Sequence, residues 1–131
     1  MTPTARKHLS WTMQNPANLA VTGKAEELAV LIYRVTAQFP REEVYGLTAQ
    51  TRRAAISIGS NISEGCGRAS DAELLKFLPY SLGSAHELAF QLRVVARLKL
   101  ANSTDLASAS DGTRELERML SRLIVGRKRR R

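Results

Sequence analysis

The feature that most constrains this chain is the spacing of its apolar residues, which recur every three and four positions in four successive blocks with no strand-like alternation. An amphipathic helix has this period, and a half-buried strand would need a period of two. In the first block, residues 24–39, Leu28, Leu31, Ile32, Val35 and Phe39 share one face, with Thr22 as the expected N-cap and Pro40 closing the segment. In the second, from Leu47 to Glu64 in sequence, Leu47, Thr51, Ala54, Ala55, Ile58 and Ile62 keep the same rhythm. The third covers residues 71–98 with the stripe Leu75, Leu78, Leu82, Ala85, Ala89, Leu92 and Ala96, widened by Leu74, Phe77, Leu88 and Val95. Pro79 removes one backbone hydrogen bond there, which predicts a bend without a break because the stripe keeps its phase. The fourth places Leu106, Ala109, Thr113, Leu116, Leu120, Leu123 and Ile124 in register, after a connection carrying Asn102, Ser103 and Thr104 as possible caps, and Gly126 is expected to end it.

Four such segments joined by short connections predict an all-α, antiparallel up-down-up-down four-helix bundle over residues 22–126. Residues 1–21, polar and containing Pro3 and Pro16, read as a flexible lead-in with Trp11 as an anchor, and residues 127–131 as a disordered basic tail. At 131 residues the chain suits one domain.

The stretch SIGSNISEGCGRAS, residues 57–70, has two readings. A glycine-rich phosphate loop would follow a strand and open a helix, whereas here a helical period runs into the glycines and no P-loop lysine is present. The spacing therefore favours a helix boundary, with Gly65 and Gly67 as left-handed C-terminal residues and the run Ser70, Asp71, Ala72, Glu73 as a capping box. Cys66, the sole cysteine, cannot form an internal disulfide, and neither it nor His8 or His86 belongs to a metal-ligand pattern. No run approaches the ~20 apolar residues of a membrane span. These readings point to a cytoplasmic, non-enzymatic protein without catalytic residues, metal or cofactor.

The net charge of +8 is concentrated at the C-terminus. Arg127, Lys128, Arg129, Arg130 and Arg131 leave only +3 for residues 1–126, which hold 15 basic and 12 acidic residues. Arg114, Arg118 and Arg122 recur every four residues and lead into that run, a linear basic stripe suited to nucleic-acid phosphates, with Glu115 and Glu117 close enough to neutralise part of it. Arg52, Arg53, Arg68, Arg93 and Arg97 are further basic candidates. A purely protein-binding scaffold with a solubilising tail is the alternative.

Residues 39–92 carry an ordered set of motifs: Phe39-Pro40, Tyr45-Gly46-Leu47, Arg52-Arg53-Ala54, Ser57-Ile58, Asn61-Ile62, Glu64-Gly65, Gly67-Arg68, Leu82-Gly83-Ser84 and Glu87-Leu88. On these the chain resembles the 23S ribosomal RNA intervening-sequence proteins, also called S23 ribosomal proteins. The resemblance implies a cytosolic four-helix bundle assembled as a homopentamer, with no attached enzymatic activity. Relatives tend to start nearer the first helix, which makes Met13 an alternative initiator to Met1.

Arg53, Ser57, Asn61 and Glu64 align along one stripe of the second helix, and Ser84, Glu87 and Gln91 form a similar short stripe on the third. We expect them to hydrogen-bond across as a structural polar network; the alternative is that Glu64 and Glu87 form an acid–base or metal pair. Ile56, Phe77, Tyr80 and Phe90 are candidates for burial between protomers, the alternative being burial within one.

Overall fold

In the computed structural model, which describes residues 15–68 and 70–129, four α-helices pack on one core and no strand occurs among those residues. The helices are α1 (Pro16–Thr36), α2 (Leu47–Cys66), α3 (Asp71–Leu98) and α4 (Ser103–Arg129), with a single 3-10 turn at Arg41–Glu43. Each helix contacts the next, and α4 returns to α1. Trp11, Met13, Arg130 and Arg131 lie outside the described residues.

α1 begins earlier than the period predicts. Asn15 caps it, its Oδ1 accepting from the backbone N–H groups of Ala17 (2.9 Å) and Asn18 (3.4 Å). Pro16 follows at the first helical position, where its missing N–H costs nothing and its fixed φ suits the helix. Residues 16–21 are thus helical, and Thr22 is an interior residue whose hydroxyl donates to the Asn18 carbonyl at 2.7 Å. The helix ends at Thr36, three residues short of Phe39, although Phe39 still reaches the core.

α2 runs through the motif stretch to Cys66, as the helix-boundary reading predicts, but not for the stated reason. No glycine has positive φ; Gly65 is helical and Gly67 caps with φ −76°. What Gly65 supplies is room: a Cβ there would lie 2.7 Å from Leu74 Cδ1 and 3.0 Å from Phe77 Cβ. α3 opens on Ser70, whose Oγ accepts from the Glu73 N–H at 3.2 Å, while the Glu73 carboxylate pairs with Lys76 at 3.0 Å. It is unbroken through Pro79 and stops at Lys99, a left-handed residue (φ 56°), with the Leu100 N–H closing back on the Val95 carbonyl.

The buried stripe of α3 shares Leu75, Leu78, Ala85 and Leu92 with the predicted one but is centred toward Leu74, Leu88 and Val95. Its axis follows Leu74, Leu78, Ser81, Ala85, Leu88, Leu92 and Val95, while Leu82 and Ala89 are half-buried and Ala96 is exposed. Two polar residues hide that axis in the sequence: Ser81, fully buried, donates to the Ile58 carbonyl at 2.7 Å, and Gln91 is 4% exposed. The core is completed by Val21, Ala25, Leu28, Ile32 and Val35 of α1, Ala55, Ile58 and Ile62 of α2, and Ala109, Leu116 and Leu120 of α4.

α4 does not stop at Gly126. It continues to Arg129, so three of the five residues assigned to a disordered tail are helical. At the opposite end its start is tied to α1: Gln38 accepts from the Asn102 N–H (2.8 Å) and donates to Asp105 (2.8 Å), and Asn102 Oδ1 caps the Asp105 N–H (2.8 Å).

Candidate nucleic-acid interface and the polar end layer

Arg114, Arg118, Arg122 and Arg129 are all solvent-exposed on α4. At about 100° per residue they fall within roughly 80° of arc and span about 22 Å along the helix. Arg114 pairs with Asp111 (2.6 Å), and Arg118 and Arg122 make no ion pair among the described residues. The two glutamates next to the stripe have partners on other helices. Glu115 leans to α1 and meets Lys24 (3.4 Å), and Glu117 leans to α3, where its carboxylate meets His86 Nδ1 (2.5 Å). Lys128 is exposed beside the stripe.

Arg127 is not part of this surface, contrary to its place among the predicted phosphate contacts. It is 4% exposed: Nη2 donates to Asn18 Oδ1 at 2.8 Å and Nε lies 3.6 Å from Asp71 Oδ1. Its position explains this, because 127 continues the core phase of Thr113, Leu116 and Leu120 by whole turns. Asn18 does the same ahead of Val21 and Ala25, and Asp71 ahead of Leu74 and Leu78. The core stripes of three helices therefore run into a polar terminal layer, and Cys66 of α2 borders it at 2% exposure. Burial pushes the Cys66 thiol pKa up, and the Arg127 charge opposes that shift. A sequence signal existed for Arg127 and Asn18: polar residues standing where the helical period calls for apolar ones.

Of the other basic candidates, Arg52 stacks over the Tyr33 ring (4.5 Å to the centroid) and donates to Thr36 Oγ1 at 2.7 Å. Arg68 pairs with Glu64 (2.5 Å) and lies over Phe77 (5.1 Å). Arg53, Arg93 and Arg97 are exposed, Arg93 lying 5.8 Å from the Phe90 centroid.

The predicted polar network forms in part. Ser57 Oγ meets Ser84 Oγ at 2.8 Å between α2 and α3, and Asn61 Nδ2 donates to the Ser57 carbonyl (2.9 Å) and hydroxyl (3.2 Å). Arg53 is exposed, Glu64 turns to Arg68, and Glu87 accepts from Gln91 on its own helix at 3.3 Å. Glu64 and Glu87 thus have separate partners, and among the described residues no three His, Cys, Asp or Glu side chains gather as metal ligands would. No described helix is long and apolar enough to cross a membrane.

One exposed apolar feature stands apart. Between α1 and α2, Ala29, Val30, Tyr33, Arg34, Ala37 and Ile56 line a shallow, mainly apolar groove, with Val30 and Ile56 about half-exposed at 54% and 46%. Tyr80 and Phe90 of α3 are exposed at 68% and 59%.

These features define a four-helix all-α protein with one basic edge and a polar layer closing one end of its core. The chain belongs to the 23S rRNA-intervening sequence protein family, whose model matches residues 17–122. A crystal structure of a protein of unknown function from the S23 ribosomal protein family of Bacteroides thetaiotaomicron VPI-5482 is similar, with 25% sequence identity and a TM-score of 0.74 over 82% of this chain and 97% of that one. No curated protein matches the chain.

Proposed function

We propose that this is a non-enzymatic, cytoplasmic protein whose helices form an antiparallel up-down-up-down bundle, which assembles as a homopentamer and binds RNA or DNA through the α4 edge. The observation that carries the nucleic-acid reading is the edge itself: four exposed arginines on one arc, of which Arg114 pairs with Asp111 while Glu115 and Glu117 are engaged by Lys24 and His86. A cationic row of this kind neutralises phosphates and releases their counterions, an interaction that carries little sequence information. Assembly would multiply it, since five chains at +8 carry +40. The α1–α2 groove and the exposed Tyr80 and Phe90 supply apolar surface for subunit contacts. The bundle acts in this reading as an adaptor that brings nucleic acid to a processing partner.

The test is fluorescence anisotropy with a labelled RNA hairpin and a matched DNA duplex over a salt series. The full chain is compared with a variant carrying Arg114→Gln, Arg118→Gln and Arg122→Gln, all exposed positions. We expect binding that weakens steeply with salt, and a log–log slope shallower by about 0.9 for each phosphate contact removed on duplex DNA. Absence of binding by the unsubstituted chain near physiological salt would overturn the nucleic-acid reading and leave a protein-interaction scaffold.

A further inference from the structure

The basic C-terminal run is unusual in what precedes it. An exposed stretch of consecutive cations repels itself and frays, and Gly126 weakens the helix at that point, so the sequence alone argues for a loose arm. The last turns of α4 are nevertheless helical, and the side chain that holds them is buried. Arg127 sits in the terminal layer between Asn18 of α1 and Asp71 of α3, one residue after the glycine. Fraying of this turn would withdraw the guanidinium from both groups and leave Asn18 Oδ1 without it.

We propose that Arg127 is a positioning residue: it latches the end of α4 to the bundle so that Arg114, Arg118, Arg122 and Arg129 form one rigid edge whose ligand is a nucleic-acid duplex. This rests on the nucleic-acid reading above and narrows it to a ligand class. A duplex holds its phosphates in fixed rows, and a rigid cationic rod meets them with little ordering cost. Single-strand binders draw much of their affinity from bases stacked on aromatic side chains, and residues 114–129 contain no aromatic residue. The layer also gives one basic residue a role opposite to its neighbours. Arg127 contributes anchorage while Arg129 contributes charge to the surface.

The experiment compares a short RNA duplex with an unstructured oligouridine of equal phosphate count, at one ionic strength, and follows amide hydrogen exchange over residues 123–129. Four full-length chains are used: the unsubstituted protein, Asn18→Leu, Arg127→Lys, and Asn18→Leu combined with Gly126→Ala. None of these changes alters the net charge. Arg127→Lys provides a second route should Asn18→Leu fold poorly. The unsubstituted chain is expected to prefer the duplex by roughly tenfold. Asn18→Leu and Arg127→Lys should each speed exchange at the end of α4 and lose most of that preference. Gly126→Ala meets no neighbour within 4 Å, so it should act through helix propensity alone and restore both readouts.

Faster exchange with an unchanged duplex preference would show that Arg127 does not position the edge, and unchanged exchange would show that there is no latch. Equal, strongly salt-dependent binding to both ligands by the unsubstituted chain would overturn the inference while leaving the nucleic-acid reading intact. Binding to neither would remove both.

Discussion

At the scale of single residues, Gly65 and Cys66 show how adjacent positions can be governed by different physics. Gly65 is required by proximity, since Leu74 Cδ1 would sit 2.7 Å from any Cβ. Gly65→Ala should therefore destabilise the fold by about 1–3 kcal/mol, the usual cost of overpacking, measured by urea unfolding. The same change at exposed Gly83, which has nothing within 4 Å, should stabilise by roughly 1 kcal/mol through helix propensity. Cys66 is governed by desolvation. Burial disfavours its thiolate, so its pKa is raised above the ordinary cysteine value of about 9.0. An acid whose folded pKa lies above its unfolded one stabilises the fold fully below the unfolded value, and that contribution is lost as pH rises toward the folded value. Stability should thus decline above about pH 9, and Cys66→Ala should flatten that alkaline limb in unfolding curves collected across pH. Neither role was legible in the motif string. The string marks a helix end, and only the neighbours identify Gly65 as a packing residue.

At the scale of elements, the helical period located all four helices, and errors clustered at the ends and at polar core positions. α1 starts at Pro16 because Asn15 and Pro16 form a cap pair that looked like part of a polar lead-in. α3 spans residues 71–98 as its period predicts, while its buried face is centred toward Leu74, Ser81, Leu88 and Val95, because Ser81 and Gln91 break the apolar pattern as the backbone continues through them. The end of α3 carries a local cost that can be measured. Lys99 adopts φ 56°, a conformation that costs a side-chain-bearing residue free energy and glycine little. Lys99→Gly should raise stability by about 1 kcal/mol with α3 unchanged in length, readable as a shift of the urea midpoint without a change in slope. An unchanged or lower midpoint would mean that exposed Lys99 contributes interactions that outweigh its backbone strain.

At the scale of the whole molecule, the two ends of the helix set are closed by polar groups of different character. One end carries the exposed Gln38–Asn102–Asp105 cluster, the other the layer of buried Asn18 and Arg127 with half-buried Asp71. Between them the surface divides into a basic edge on α4 and an apolar groove between α1 and α2. If the groove is a subunit contact, light scattering should give five times the 14.5 kDa protomer mass, and Ile56→Glu should lower it while leaving helicity intact. A monomeric parent chain, or an assembly indifferent to Ile56→Glu, would rule that use of the groove out. By itself the sequence determined the number of helices, their order and most of the residues in the core, because burial of a stripe at helical period needs only local geometry. It also marked Arg114, Arg118 and Arg122 as one row, for the same reason. Only the tertiary structure decided which cations face solvent, because that depends on partners far away in the chain. Arg127 is drawn inward by Asn18, 109 positions earlier, and Glu115 and Glu117 are drawn off the basic edge by Lys24 and His86. The helical period places position 127 on the core side, but whether an arginine there is desolvated is decided only when the helices that supply its partners are brought together.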